Sequence, residues 1–169
     1  MDWAADQGAP AKTARDAVSA RRRVFAIQAT EKGVRAGLAE MRGFLSARGL
    51  DADFCGTAEI VLAEALNNIA EHALVAALGA TIRVTLTTRQ GGLTAEIVDT
   101  GTALPGLSPP VGQLPPLGGS AHSLPEGGFG WYLIRKLTDC LSYTRHAGEN
   151  HLCLRISFAR TAAVATPVE

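Results

Sequence analysis

The chain has 169 residues and no formal net charge, with 16 Lys and Arg against 16 Asp and Glu; 47% of it is hydrophobic and 5% aromatic. That length suits one domain with a normal core, and the balanced charge gives no overall pull toward nucleic acid or an anionic membrane, so neither is expected as a partner. Three cysteines, Cys55, Cys140 and Cys153, form an odd set without CxxC spacing, which argues against a disulfide framework and against zinc.

Residues 1–20 mix Ala, Gly, Asp and Lys without periodicity and read as a flexible tail. Arg21-Arg22-Arg23 leads into a first strand, Val24 to Gln28, and reads as a solvated strand start rather than a nucleic-acid patch. Thr30 is placed to cap a helix whose apolar face is Val34, Leu38, Met41 and Leu45, with Gly49 at its end. A second helix is predicted from Ala52 to Ala76, with the stripe Leu62, Leu66, Ile69 and Ala73. At about 100° per residue, Glu64, Asn68 and His72 then fall on the opposite side, close to one line.

Ile82, Val84 and Leu86, then Leu93, Ala95 and Ile97, alternate with polar neighbours around a turn signal at Gln90-Gly91-Gly92, which predicts a hairpin with one buried face. Asp99 stands at its exit. From Thr102 to Pro125 the chain holds six of its eight prolines and no Lys or Arg. A stretch of that length without period inside a compact domain is a functional loop or a disordered one. A third helix is predicted over 130–141. A closing hairpin follows, Leu141 to Arg145 and Leu152 to Phe158, turning at Gly148-Glu149-Asn150. Cys140 and Cys153 lie in apolar stretches and are expected as buried thiols. Residues 159–169 read as a second tail. The apolar run at 73–80 is too short to span a bilayer, and the N-terminus lacks the hydrophobic core of a signal peptide, so a cytoplasmic location is expected.

Runs of antiparallel strands with helices segregated to one face make an α+β two-layer sandwich. Three short blocks carry chemistry within it. In Glu64-Ala65-Leu66-Asn67-Asn68-Ile69-Ala70-Glu71-His72, the Asn68 side-chain oxygen suits a hard cation such as Mg2+, and Glu64, one turn earlier, can take a proton from an attacking hydroxyl. Alone, this block reads more readily as a solvated helix face. In Asp99-Thr100-Gly101, a carboxylate at a strand end can accept from the exocyclic amine of adenine, and Gly101 lets the backbone turn close to a flat base. Asp-Thr-Gly is also an ordinary turn. Gly127-Gly128-Phe129-Gly130 opens the third helix, whose free N–H groups and positive end suit phosphate. A plain loop end is the alternative there.

Taken together, the three blocks resemble the N, G1 and G2 boxes of the GHKL ATPase superfamily, the Bergerat ATP-binding fold, over residues 21–158. Within it, Glu64, Asn68 and His72 together with Glu126 to Gly130 resemble the bacterial anti-sigma-factor serine/threonine kinases. The resemblance implies a mixed, mostly antiparallel sheet and a lid at about 102–127. It implies ATP and Mg2+ as cofactors, a STAS-domain anti-sigma-factor antagonist as the phosphorylated partner, a sigma factor as the other partner, and a homodimer. It assigns Glu64 as general base and Asn68 as the magnesium ligand. His72, Asp99, Gly101, Gly127, Gly128 and Gly130 are placed at the nucleotide.

Three positions depart from the pattern. Ala103 replaces a second glycine after the aspartate, Glu126 stands where some relatives carry a basic residue, and Glu149 follows Gly148 where histidine kinases often carry Thr. The cation-free lid motivates an alternative, a nucleotide-binding module that sequesters a regulator without useful kinase activity. A histidine-kinase catalytic part would need an upstream phosphoacceptor histidine, and the first histidine here is His72.

Overall fold

The computed structural model describes residues 21–73, 79–89, 91–112 and 129–158. Its elements are β1 (Arg21–Gln28), α1 (Glu31–Ser46), α2 (Ala52–Asn68), a π-helical turn (Ile69–Ala73), β2 (Thr81–Arg89), β3 (Gly92–Asp99), a short 3-10 turn (Pro105–Leu107), α3 (Phe129–Leu137), β4 (Cys140–His146) and β5 (Glu149–Ser157). Five strands form one sheet in the order β1-β2-β3-β5-β4. The expected α+β sandwich is present, and among the described residues every strand pairing is antiparallel.

Local chemistry accounts for the helix ends. The Thr30 hydroxyl accepts from the Gly33 N–H (3.1 Å) at the start of α1, and the Asp51 carboxylate accepts from the Phe54 N–H (2.7 Å) at the start of α2. Gly49 takes a φ of +69° just past α1, the conformation expected of a terminating glycine. Two glycine-containing turns close the hairpins. Gly91 (φ +89°) serves β2–β3, and Ala147-Gly148, both at positive φ, joins β4 to β5 with His146 opposite Glu149. The closing turn is thus Ala147-Gly148, and Glu149 and Asn150 belong to β5.

One sheet face is the core. Phe25 and Ile27, Ile82, Val84 and Leu86, Leu93 and Ile97, and Leu154 and Ile156 are all buried. They meet Met41 and Leu45 of α1, Phe54, Leu62 and Leu66 of α2, and Ile134 of α3 in one cluster. Alternate residues such as Arg83, Glu96 and Arg155 are exposed, so the period-2 pattern sorts the two faces as expected.

The helix boundaries differ from the periodicity in two places. The second helix stays α-helical only to Asn68, then widens into the π turn; residues 74–78 lie outside the described residues. The third helix ends at Leu137: the Thr138 N–H still makes a helical bond to the Ile134 carbonyl (3.1 Å), but the next N–H, of Asp139, donates to Arg155 O (2.8 Å), joining the chain to the sheet. Strand β4 therefore starts at Cys140. This reverses the reading of the cysteines. Cys55 is buried, whereas Cys140 is exposed and Cys153 half-buried, both on the open sheet face. Burial, then the nearby Glu96 and Cys140, push the Cys153 thiol above its usual range. The tails at 1–20 and 159–169 lie outside the described residues.

Candidate functional site

A cavity of about 220 Å³ opens where the end of α2, the π turn, the start of α3 and the segment after β3 converge on the sheet. Its floor is Asp99 and Asn150, and its walls include Ile69, Ala73, Leu104, Trp131 and Leu152. A mostly apolar slot with a few convergent polar groups is the usual form of a small-ligand site.

Cross-strand register builds the floor. Asp99 lies opposite Asn150, and Asn150 lies opposite Arg145, so three polar side chains form a row across β3, β5 and β4 at one end of the core face. Asp99 is 4% exposed. Its Oδ1 accepts from the Gly101 N–H and from Asn150 Nδ2, both at 2.8 Å. Among the described residues its Oδ2 has no hydrogen-bond partner. A buried carboxylate oxygen lacking a donor on a cavity floor suits a ligand that supplies one, such as an exocyclic amine.

The opposite wall comes from α2. Asn68 Nδ2 donates to the Glu64 carbonyl (2.7 Å). A carbonyl only accepts, so the amide nitrogen must face it, which leaves the Asn68 Oδ1, without a hydrogen-bond partner among the described residues, as an oxygen donor atom. That is the kind of ligand a hard cation takes. The Glu64 carboxylate reaches across to α3. A Cβ on Gly130 would overlap Glu64 Oε2 and lie 3.3 Å from its Cδ and 3.5 Å from Asn68 Nδ2. Gly130 therefore has no side chain because Glu64 occupies the space, and the carboxylate rests beside the start of α3, where the helix dipole favours negative charge. A π turn follows Asn68 directly, carrying His72 into the cavity lining. Such turns are rare, and they concentrate at functional sites.

A family model for the histidine kinase-like ATPase domain matches residues 27–156, spanning all these elements. The chain belongs to the histidine kinase-like ATPase domain family. A curated relative, the serine/threonine-protein kinase BtrW of Bordetella bronchiseptica, is 38% identical over 91 residues, covering 54% of this chain and 62% of that protein. A solved structure of the RsbU and RsbW domains of Rv1364c from Mycobacterium tuberculosis shares the fold, with a TM-score of 0.56 at 17% identity over 81% of this chain and 32% of that one. The histidine kinase domain of the Erythrobacter litoralis EL346 blue-light activated histidine kinase superposes with a TM-score of 0.49 at 16% identity, covering 79% of this chain and 69% of that one.

Within this ATPase domain, the sequence-predicted residues fall into three groups. Asn68, His72 and Asp99 line one cavity, and Glu64 and Gly130 adjoin it through Asn68. Gly101 does not line the cavity. A Cβ there would overlap the Ala73 carbonyl oxygen and lie 2.7 Å from the Ala73 carbon, while the neighbouring Thr102 N–H donates to that oxygen (3.0 Å). The close approach that requires a glycine is thus to the π turn, where a flat base was expected. Gly127 and Gly128 lie outside the described residues, as do Glu126 and the lid from 113 onward.

Sequence reasoning missed Asn150, Tyr143 and Arg145. Asn150 had been read as part of a turn, yet it shares the parity of Leu152, Leu154 and Ile156. A polar residue in phase with a buried run was the signal. No helix among the described residues is long and apolar enough to cross a membrane.

Proposed function

We propose that this domain binds Mg-ATP in the cavity and transfers the γ-phosphoryl group to a serine or threonine hydroxyl of a STAS-type anti-sigma-factor antagonist, in a partner-switching system that also contains a sigma factor. One observation carries the reading: a single turn of α2 sets the Glu64 carboxylate and the Asn68 amide side by side at the start of α3, next to a cavity floored by a buried aspartate. The relative BtrW, named a serine/threonine-protein kinase, supports the choice of acceptor.

The roles follow from the chemistry. Asp99 Oδ2 accepts from the adenine amine, and the apolar walls take the ring. Asn68 Oδ1 fits a magnesium ion, which when bound supplies positive charge to the phosphates and takes only one or two protein oxygens. Glu64 accepts the proton of the attacking hydroxyl as the new O–P bond forms and the bond to the β-phosphate oxygen breaks, leaving ADP. The start of α3 faces the phosphates with its free N–H groups.

A second reading keeps nucleotide binding without useful transfer. It is favoured by the absence of Lys and Arg from residues 102–128 and by the fate of Arg135 on α3. That guanidinium donates to the carbonyls of Pro109 (2.6 Å) and Pro110 (2.8 Å). Intact mass measurement of a STAS-domain partner after incubation with this protein and Mg-ATP separates the two readings. One added phosphoryl group, lost with Glu64→Ala while ATP binding persists, is the expected result. No added mass with ATP binding intact would replace the kinase reading with the sequestration one.

A further inference from the structure

Three side chains of the β4–β5 hairpin form a connected set. Asn150, 3% exposed, donates through Nδ2 to Asp99 Oδ1 (2.8 Å) and to the carbonyls of Gly101 (3.3 Å) and Thr102 (3.2 Å). Its amide oxygen accepts from the Tyr143 hydroxyl (2.7 Å) and from the Arg145 guanidinium. Tyr143 also accepts from the Leu104 N–H (3.1 Å), and Arg145 donates to Gly101 O (2.9 Å). The segment 101–104, where the lid leaves β3, is thereby tied to the same side chains that hold the buried carboxylate.

The geometry points to Arg145 and Tyr143 as positioning residues that lock the base-reading carboxylate and the root of the lid into one unit through Asn150. This rests on the adenine-site reading above. Register is what makes the lock: Arg145, Asn150 and Asp99 share one cross-strand row, and Tyr143 stands in the next, opposite Leu152. With Oδ1 held by two donors, the Asp99 carboxylate cannot turn about its own axis, and Oδ2 stays available to the ligand. The Arg145 cation polarises the amide that donates to Asp99, and a charged donor strengthens such a chain. Loss of either outer residue removes one of the two donors that fix the Asn150 oxygen and one tie to the segment 101–104, so a smaller fraction of molecules presents the aligned carboxylate together with an anchored lid root. Apparent affinity falls in proportion to that fraction.

The test uses the full chain and two nucleotides, ATP and inosine triphosphate, which carries an oxo group in place of the 6-amine. Tyr143→Phe removes one hydroxyl, and Arg145 is exposed, so Arg145→Gln leaves the core untouched. Calorimetric titration is expected to show each variant binding ATP about five- to tenfold more weakly, the equivalent of roughly one hydrogen bond. Inosine triphosphate is affected less, so the preference for ATP shrinks. Arg145→Lys, which keeps a cationic donor, restores part of that preference. In Tyr143→Phe, hydrogen exchange at the Leu104 amide under saturating ATP is faster than in the parent protein. An unchanged ratio of the two affinities in both Tyr143→Phe and Arg145→Gln, with the parent still preferring ATP, overturns the inference. A parent protein with no preference overturns the adenine reading itself.

Discussion

Asp99→Asn tests the site with least disturbance of the fold. Asp99→Ala would leave the Gly101 N–H without its acceptor inside the protein, at about 1–3 kcal/mol for a buried orphan, and would take the shortest of the Asn150 amide's three acceptors. Asparagine has the same shape and avoids that loss in one orientation, with its oxygen toward the two donors. Its NH2 then faces the cavity, where the adenine amine would also bring a donor. The reverse orientation puts the NH2 against the Gly101 N–H and Asn150 Nδ2, each 2.8 Å from the present oxygen. Both orientations set donor against donor. The lost bond is one to a charged acceptor, about 1.5–3 kcal/mol, so ATP binding should weaken roughly 10- to 150-fold. Inosine triphosphate, whose oxo group accepts, should lose much less, so the preference for ATP should shrink or invert. Titration calorimetry reads both affinities, and a thermal melt checks the fold. An Asp99→Asn protein that binds ATP as tightly as the parent would refute the reasoning.

Two glycine substitutions separate the site from the scaffold. In Gly130→Ala the new methyl meets the mobile end of Glu64, so the fold should persist. Displacing the general base should lower phosphotransfer by about 10- to 100-fold, measured as kcat on the STAS-type substrate; an unchanged kcat would detach Glu64 from the chemistry. In Gly101→Ala the methyl meets the Ala73 backbone, which cannot swing aside. A loss of about 1–3 kcal/mol in urea unfolding is expected, and unchanged stability would contradict the close packing of lid root and π turn.

Much of the site was legible as separate pieces. Helical spacing put Glu64, Asn68 and His72 opposite the stripe Leu62, Leu66, Ile69 and Ala73; Leu62 and Leu66 are buried in the core, but the π turn brings Ile69 and Ala73 into the same cavity lining as Asn68 and His72. Strand alternation put Asp99 at the end of a one-sided hairpin. The boundary of α3 was misread because Leu141 is in phase with Leu133, Ile134 and Leu137, and nothing in a helical period signals that the Asp139 N–H leaves the helix for the carbonyl of Arg155. The widening of α2 into a π turn has no periodic signature either.

Sequence by itself determined the order of elements, which face of each is apolar, and the residue types able to hold a nucleotide. These depend on local geometry, on 3.6 residues per turn and two per pleat, which any window of chain reveals. Only the tertiary structure decided which residues meet. Asp99 meets Asn150 through the register of β3 with β5, and Glu64 meets Gly130 through the packing of α2 on α3. Register is set by the whole sheet and its turns, and helix packing by side chains far apart in the chain. Periodicity can therefore say which way a residue faces but not what stands opposite it.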